Sequence, residues 1–188
     1  TLGREESRSG RFLDRRDYCK LHIIAHYVQV LLGPQFAVIP LGAVGDDEAG
    51  RRLRAEMAAV GMDMRYVETY PGEGTLFSFC LVYPDGSGGN LTVDDSACRR
   101  VDAAFIERAA GEFARYAGQG IALAAPEVPL EARRRLLALG SRHAFLRVAA
   151  FTSAELPEVL AGGWLAQVDL LAVNSSEAAV IAGLAAAE

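Results

Sequence analysis

Apolar residues recur at helical spacing near the start of the chain. Leu21 to Leu32 carries an apolar residue at every third or fourth position, and Gly33-Pro34 ends this predicted helix. The apolar run Phe36 to Leu41 predicts a strand. Asp46 or Asp47 then caps a second predicted helix, which continues to about Val60. This part of the chain therefore predicts a helix, a strand and a helix.

The next stretch has the alternation of strands rather than the spacing of helices. Three segments share this character, and they are Met62–Thr69, Thr75–Tyr83 and Asn90–Asp94. The turn-forming sequence Asp85-Gly86-Ser87-Gly88-Gly89 joins the last two into a predicted β-hairpin. Large apolar side chains stand on both faces of Thr75–Tyr83, so we expect the hairpin to need cover on both sides or a partner.

Strands and helices alternate regularly through the rest of the chain. The predicted elements are a helix over Val101–Tyr116, a strand over Gly120–Ala125, a helix over Leu130–Leu139, a strand over Ala144–Ala150, a helix over Ala154–Leu160, a strand over Val168–Val173 and a helix over Ser175–Ala187. Such alternation predicts a mainly parallel sheet covered by helices. We therefore predict an α/β fold with a polar segment over residues 1–20, an α/β core over 21–61 and 95–188, and a small β lid over 62–94.

Composition and charge narrow the class of protein. Of the 188 residues 51% are apolar, which is enough for a hydrophobic core, and no apolar stretch reaches the length of a membrane span. The net charge of −5 argues against a nucleic-acid-binding protein. The three cysteines, Cys19, Cys80 and Cys98, are widely spaced and odd in number, so we expect reduced thiols and a cytoplasmic protein.

The apolar run Val168–Val173 ends in Asn174-Ser175-Ser176-Glu177, and a predicted helix follows it. Polar residues at the carboxyl end of a buried strand, beside a helix N-terminus, mark the place where open α/β sheets bind ligands. Spacing alone favours a capping box, with Asn174 as the N-cap and Glu177 at the third helical position. A capped helix N-terminus also attracts anions, so the two roles are compatible.

Four segments occur in an order that is typical of one family. Gly42-Ala43-Val44-Gly45-Asp46-Asp47-Glu48-Ala49-Gly50 precedes a helix, and Gly61-Met62-Asp63 follows that helix. The hairpin has an Asp-Gly turn, and Asp169–Glu177 has the pattern D-x-L-x-x-N-x-x-E. Over roughly Leu21 to Gly183 the chain resembles the ribokinase-like (PfkB) carbohydrate kinases. Each segment alone is a weak signal, whereas their order with a lid between them is moderately specific.

The resemblance implies ATP-dependent phosphorylation of a sugar or nucleoside hydroxyl with Mg²⁺. It assigns Asn174 and Glu177 to the nucleotide and its metal, with Glu177 near the Mg²⁺ ion. It places Gly45 at the border of the sugar pocket. It also places Phe77 and Phe79 of the lid against the sugar, or against the lid of a second subunit in a homodimer. Each of these residues also fits an ordinary structural role, in a turn or on a hydrophobic hairpin face.

Three features of that family are absent from this sequence. Its Gly-Gly pair and following Asn should fall within Cys19–Ile24, which reads Cys-Lys-Leu-His-Ile-Ile. Its first strand, with a sugar-binding Asp, is not found in Thr1–Arg16. Its D-T-x-G-A-G-D segment, which carries the catalytic Asp, is also missing. We therefore assign no catalytic residue and expect this chain to be an inactive portion of the kinase, incomplete at the C-terminus.

Two other classes of protein remain open at this point. One is a non-catalytic ribokinase-like protein with a binding or regulatory role, and the other is an unrelated Rossmann-like protein whose hairpin forms a dimer interface. Cys19, His22 and His26 lie at i, i+3 and i+7, a spacing that suits Zn²⁺, although two histidines on an apolar helix are more often packed or at the surface. Arg133-Arg134-Arg135 predicts a solvated helix face.

Overall fold

The computed structural model describes residues 9–11 and 20–183 of the chain. Within these residues the helices are α1 (Lys20–Leu32), α2 (Glu48–Ala59), α3 (Ala103–Glu107), α4 (Ala110–Arg115), α5 (Leu130–Arg142), α6 (Leu156–Ala161) and α7 (Ser175–Ile181). The strands are β1 (Gly42–Gly45), β2 (Val67–Tyr70), β3 (Ser78–Val82), β4 (Gly88–Thr92), β5 (Ile121–Ala124), β6 (Leu146–Ala150) and β7 (Leu170–Ala172). Cys19 and residues 184–187, where the last helix is predicted to end, lie outside the described residues.

Two parallel sheets form the body of the described structure. β1 pairs with β2, and β5, β6 and β7 form a second parallel sheet in that order. β3 and β4 pair antiparallel and form a separate hairpin. The predicted α/β fold, with a mainly parallel sheet and a small β-hairpin, is therefore confirmed.

β2 belongs to a parallel sheet, whereas the sequence analysis placed its residues in the predicted β lid over 62–94. Val67 lies opposite Gly42, and Tyr70 lies opposite Gly45. Between the two strands, α2 buries Leu53 and Met57, so β1, α2 and β2 form one βαβ unit. The antiparallel hairpin itself extends only from the start of β3 to the end of β4.

Three predicted elements differ from the structure, and the first is the strand predicted over Met62–Thr69, in which Met64–Tyr66 form a 3-10 helix before β2 begins. The run Phe36–Leu41 is not a strand, because β1 begins only at Gly42 and no described strand pairs with the residues before it. The predicted helix Val101–Tyr116 is divided into α3 and α4. At their junction the amides of Arg108 and Ala109 donate to carbonyls three residues back, which interrupts the α-helical pattern.

Two clusters of buried side chains support these sheets. Ala43 of β1 and Ala122 of β5 share one cluster with Val101, Phe105 and Leu139. The second cluster lies around β6 and contains Leu137, Ala149, Phe151, Leu156 and Val159. No helix in the described part of the chain is long and apolar enough to cross a membrane.

The prediction of a solvated arginine face on α5 is wrong for its first residue. The Arg133 side chain is only 2% exposed and forms an ion pair with Glu155. Its Nη1 donates to the Ala150 carbonyl at 3.1 Å, and its guanidinium lies over the Phe151 ring. Arg134 and Arg135, in contrast, pair with Glu131 and Glu107 nearer the surface. Helix α5 therefore points Arg133 into the protein, where a carboxylate and a carbonyl oxygen accept its hydrogen bonds.

Candidate functional site

One carboxylate links the turn after β1 by hydrogen bonds to the root of the hairpin, which is residues 73–75. Asp47 caps α2, and its Oδ1 accepts from Gly50 N at 2.7 Å. The same carboxylate accepts from the Thr75 backbone amide at 2.7 Å and from the Thr75 hydroxyl at 2.6 Å. The Thr75 hydroxyl in turn accepts from Gly45 N at 3.0 Å. This network, which we call the lid anchor (Gly45, Asp47, Gly50 and Thr75), joins strand, helix and hairpin.

Gly45 allows the hairpin root to pass directly over β1. A Cβ atom placed on Gly45 would lie 2.2 Å from the Glu73 carbonyl oxygen and 2.8 Å from Thr75 N. A Cβ on Gly50 would lie 2.3 Å from the Gly45 carbonyl oxygen. The two glycines of the segment Gly45 to Gly50 are therefore required by close backbone contacts at this crossing.

The residues that follow β4 also hold the root of the hairpin in place. Gly74 pairs with Ser96 in an isolated bridge, and Ala97 N donates to the Gly74 carbonyl at 2.8 Å. Glu73 accepts from Arg99 and Arg100. The Arg100 guanidinium lowers the pKa of the Glu73 carboxyl, so this contact is between opposite charges. Both strands that enter the hairpin are thus anchored.

The hairpin separates its side chains by polarity. Phe79 faces Leu91 across the ladder, and Phe77 meets Phe79 edge to face with ring centroids 4.7 Å apart. Phe77 is 39% exposed and Phe79 is 49% exposed. On the other face the hydroxyls of Ser78 and Thr92 form a hydrogen bond, and the Cys80 thiol donates a hydrogen bond to Asn90 Oδ1. We define the lid face as Phe77, Phe79, Leu81 and Leu91, an apolar surface that solvent reaches.

Asn174 and Glu177 form the capping box that their spacing predicts. Asn174 Oδ1 accepts from Glu177 N at 2.8 Å, and Glu177 Oε2 accepts from Asn174 N at 2.9 Å. The box follows β7, so it stands at the carboxyl end of a parallel strand. Asp169, which begins the D-x-L-x-x-N-x-x-E motif and directly precedes β7, accepts from the Nε and backbone N of Arg147, both at 2.8 Å. The Asp169 contact fixes the start of β7 against β6.

A small cavity lies near the carboxyl end of β5. It has a volume of about 50 Å³, which suits an ordered water rather than a sugar, and His22, Cys98 and Glu127 are among its lining residues. Cys98 Sγ donates to the Ala43 carbonyl, and burial raises the pKa of its thiol. Burial also lowers the pKa of His22.

Glu127 is the residue of this region that the sequence analysis missed. Its φ of 75° lies in the left-handed region that residues other than glycine rarely adopt. Such backbone strain clusters at functional sites. The signal was available, because Glu127 is the first polar residue after the apolar strand β5, as Asn174 is after β7.

Comparison with known proteins identifies the family of the chain. The model of the pfkB family carbohydrate kinases matches residues 24–188. The chain belongs to this family. The resemblance seen in the sequence is confirmed, and the alternative of an unrelated Rossmann-like protein is wrong. No curated protein matches the chain.

Solved kinases share the fold of this PfkB chain. The ribokinase of Giardia lamblia has a TM-score of 0.75 and 14% identity, and the match covers 98% of this chain and 54% of that chain. The Burkholderia thailandensis nucleoside kinase in complex with inosine has a TM-score of 0.66 and 17% identity, with coverages of 95% and 56%. The Arabidopsis thaliana ribokinase complexed with ribose and ATP has a TM-score of 0.62 and 18% identity, with coverages of 87% and 50%. This PfkB chain therefore spans about half the length of these kinases.

The PfkB chain brings some of the predicted site residues together and leaves others apart. Gly45 touches the root of the hairpin that carries Phe77 and Phe79. Asn174 and Glu177 bond each other at the end of β7, in the sheet that does not contain β1. Within the described residues, no hydrogen bond or ion pair joins the capping box to the lid anchor.

The group Cys19, His22 and His26, whose spacing would suit Zn²⁺, lies only in part within the residues that the structure describes. His22 and His26 stack edge to face with ring centroids 5.7 Å apart, while Cys19 lies outside the described residues. The described residues contain no group of three or more metal-ligating side chains. A Mg²⁺ ion needs fewer protein ligands, because it keeps most of its waters.

Proposed function

We propose that the protein phosphorylates a hydroxyl group of a sugar or nucleoside, with ATP and Mg²⁺. The observation that carries this proposal is the PfkB family match over residues 24–188. The relatives with inosine, and with ribose and ATP, support the same class of substrates and nucleotide. Phosphoryl transfer of this kind needs a positioned nucleotide, a metal and exclusion of water.

We assign the nucleotide and its metal to the capping box at the end of β7. The Asn174 cap leaves the N-terminus of α7 at the surface, next to a carboxylate. Glu177 donates nothing and accepts one amide through Oε2, so its second oxygen, Oε1, suits a water of the Mg²⁺ shell. The donor set fits Mg²⁺, which takes few carboxylates in phosphate sites. Bound there, the ion would neutralise phosphate charge.

We assign the sugar or nucleoside to the space under the lid face. Phe77 and Phe79 offer flat apolar surface that suits stacking on a sugar and keeps water away. Gly45 contributes by letting the hairpin root cross β1 closely, so its role is to place the lid. The general base belongs to a D-T-x-G-A-G-D segment that this sequence lacks. We therefore expect no sugar-dependent ATP turnover from the 188-residue chain alone.

The experiment uses the polypeptide of the complete reading frame, with Glu177→Gln and Glu177→Ala. Glutamine keeps the capping hydrogen bond but lacks the charge that attracts Mg²⁺. Glu177→Gln should raise the Mg²⁺ concentration needed for ADP formation by ~10-fold or more, with unchanged stability. Glu177→Ala should also lose about 0.5–2 kcal/mol of stability, as cap removal does.

Glu158→Gln is the matched control, because Glu158 is an exposed glutamate on α6. It should leave the Mg²⁺ dependence unchanged. An unchanged Mg²⁺ dependence in Glu177→Gln would limit Glu177 to helix capping. If ribose, other sugars and nucleosides including inosine all fail as substrates, the non-catalytic alternative replaces the kinase. The cytoplasmic location stays a prediction.

We propose contact between two subunits through their lid faces as the alternative to stacking of Phe77 and Phe79 on the sugar. The lid face exposes four large apolar side chains on one side of the hairpin, which favours a partner. Leu91→Lys should shift light scattering from dimer to monomer, because it places a charge opposite Phe79. Val82→Lys is the control, since Val82 is equally exposed on the other face of β3. A monomer at high protein concentration would contradict this proposal.

A further inference from the structure

Helix α1 contacts α2 through a largely polar side, and it turns much of its apolar side to solvent. His22, Ala25 and Gln29 lie on one side of α1 and are only 3%, 6% and 5% exposed. Tyr27 and Leu31, on another side, are 64% and 78% exposed. Burial of apolar side chains therefore contributes comparatively little to the attachment of α1. Helices that bury little apolar surface are the ones that detach most readily.

The attachment of α1 combines a small apolar cluster with a buried imidazole. Ala25 packs with Met57 of α2 and with Met62, which follows α2. Gln29 Nε2 donates at 3.4 Å to the carbonyl directly after α1, so this bond does not join α1 to α2. His22 lines the small cavity that Met57 of α2 also lines. The charge of the His22 imidazole therefore bears on whether α1 stays attached.

Charged and titratable groups face His22 from three sides. On α2, Arg52 and Glu56 both act electrostatically on His22, and Arg52 Nε lies 3.9 Å from Glu56 Oε1. On α1 itself, the His26 ring meets the His22 ring edge to face, with ring centroids 5.7 Å apart. The remaining two groups line the small cavity with His22, and they are Cys98 and Glu127.

A proton on His22 is unfavourable in these surroundings. Burial is the main cause that lowers the pKa of His22. The Glu56 carboxylate acts in the opposite direction without offsetting burial, while His26 and Arg52 lower the pKa further. When α1 leaves α2, the imidazole reaches water and regains its ordinary affinity for a proton. Protonation therefore favours the detached helix.

We propose that α1 is a pH-sensitive switch, in which protonation of His22 in mild acid detaches α1 from α2. Detachment removes the His22 wall from the small cavity. It also uncovers Met57 and Met62, which are 6% and 5% exposed while α1 is attached. The switch is independent of the proposed kinase activity, because it operates without ATP, sugar or Mg²⁺.

The switch operates below pH 6.5, the ordinary pKa of histidine. Above this pH, His22 is neutral in the attached and in the detached helix, so the contact between α1 and α2 keeps its full stability. As the pH falls from 6.5 toward the lower pKa of attached His22, the detached helix binds a proton that the attached helix does not bind. The equilibrium constant for detachment therefore rises, by at most about tenfold for each pH unit.

Amide hydrogen exchange of the purified protein, corrected for the intrinsic effect of pH on exchange, measures detachment. Lowering the pH from 6.5 to about 5.5 should reduce the protection of the α1 amides by about three- to tenfold. Protection of α5 should stay constant, because α5 contributes to both large buried clusters. NMR titration should give a His22 midpoint below 6.5. Constant protection of α1, or a parallel loss in α1 and α5, would overturn the proposal.

Variants of the histidines assign the effect, because the sequence contains only three. His22→Leu keeps the bulk of the side chain and cannot bind a proton, so the pH effect on α1 protection should disappear. His22→Gln is a second uncharged replacement and should give the same result if leucine disturbs the packing. His26→Gln and His143→Gln are the controls, and both should retain the pH effect. A pH effect that persists without His22, or that disappears in either control, would contradict the proposal.

The charge of Glu56 offers a test in the opposite direction. Glu56→Gln removes the carboxylate that raises the pKa of His22, so the NMR midpoint of His22 should fall further. The loss of α1 protection at about pH 5.5 should then be larger than in the wild type. Glu48→Gln is the matched control, because Glu48 is an exposed glutamate in the first turn of the same helix. A higher His22 midpoint in Glu56→Gln, or equal shifts in the two variants, would contradict the proposal.

Discussion

Asp47 accepts two hydrogen bonds from Thr75, which lies 28 residues further along the chain. Because Asp47 also caps α2, a single carboxylate links the first βαβ unit to the hairpin root. Burial raises the pKa of the Asp47 carboxyl, but the bonds from Thr75 and Gly50 outweigh burial and hold it below its usual value. The lid anchor therefore works through the charged form of Asp47.

Thr75→Val should loosen the hairpin by removing the hydroxyl from the lid anchor. The buried Gly45 amide loses its acceptor, and Asp47 loses one donor. Urea unfolding should show a loss of about 1–3 kcal/mol, and hairpin amides should exchange faster than those of α5. Thr69→Val on β2 is the control, since Thr69 is exposed. Equal losses in the two variants would contradict a specific role for the Thr75 hydroxyl.

Gly45→Ala and Gly111→Ala should change stability in opposite directions. The added methyl on Gly45 meets the backbone of residues 73–75, which cannot move without disturbing the lid anchor, so we expect a loss of about 1–3 kcal/mol. The methyl on Gly111 meets no atom within 4 Å, and Gly111 lies in helix α4, so alanine should add about 0.5–1 kcal/mol. Thermal unfolding of both variants checks this. A neutral Gly45→Ala would show that the hairpin root shifts freely.

Features that depend on neighbouring residues could be predicted from the sequence. Asp47 and Asn174 begin helices where their side chains predict caps. The hairpin turn also forms as expected, with Tyr83 N donating to the Ser87 carbonyl at 2.8 Å. The capping box of the candidate site is of this kind, because its two side chains are three residues apart.

Features that depend on distant partners could not be predicted. Phe36–Leu41 has the composition of a strand, but strand formation also needs an edge to pair with. The sequence predicted a solvated Arg133, because its partner Glu155 lies 22 residues away and is not part of the local pattern. The Asp47–Thr75 bonds and the backbone strain at Glu127 likewise appear only when separate elements pack.

Because of the Asp169–Arg147 pair, the free energy of unfolding should fall in acid. Hydrogen bonds from Arg147 lower the pKa of Asp169 from 3.8 to about 2. A carboxyl whose folded pKa is depressed stabilises the protein above its unfolded pKa, and this stabilisation is lost as the pH falls from 3.8 to about 2. The urea midpoint of the wild type should therefore approach that of Asp169→Asn across this range. NMR titration should place the Asp169 midpoint near pH 2, and a midpoint near 3.8 would contradict the contact.

Arg133→Met and Arg134→Met should differ greatly in stability although the residues are adjacent. Arg133 is 2% exposed and pairs with Glu155, whereas Arg134 is 50% exposed and pairs with Glu131. Removing Arg133 leaves the Glu155 charge, which is 23% exposed, without its cation, and this costs up to about 3–5 kcal/mol, while an exposed pair contributes about 0–1 kcal/mol. Urea unfolding of the two variants measures the difference.

The double variant Arg133→Met with Glu155→Gln tests the cause of the stability loss in Arg133→Met. It shows whether that loss arises from the charge of Glu155, which has no cation beside it once Arg133 is removed. Glutamine is neutral, and its carbonyl oxygen still accepts from Thr152 N, which Glu155 Oε2 contacts at 2.8 Å. The double variant should therefore recover part of the stability that Arg133→Met loses, because no uncompensated carboxylate remains. If it recovers none, the loss arises from the missing bond to the Ala150 carbonyl and the contact with Phe151, and the ion pair contributes little.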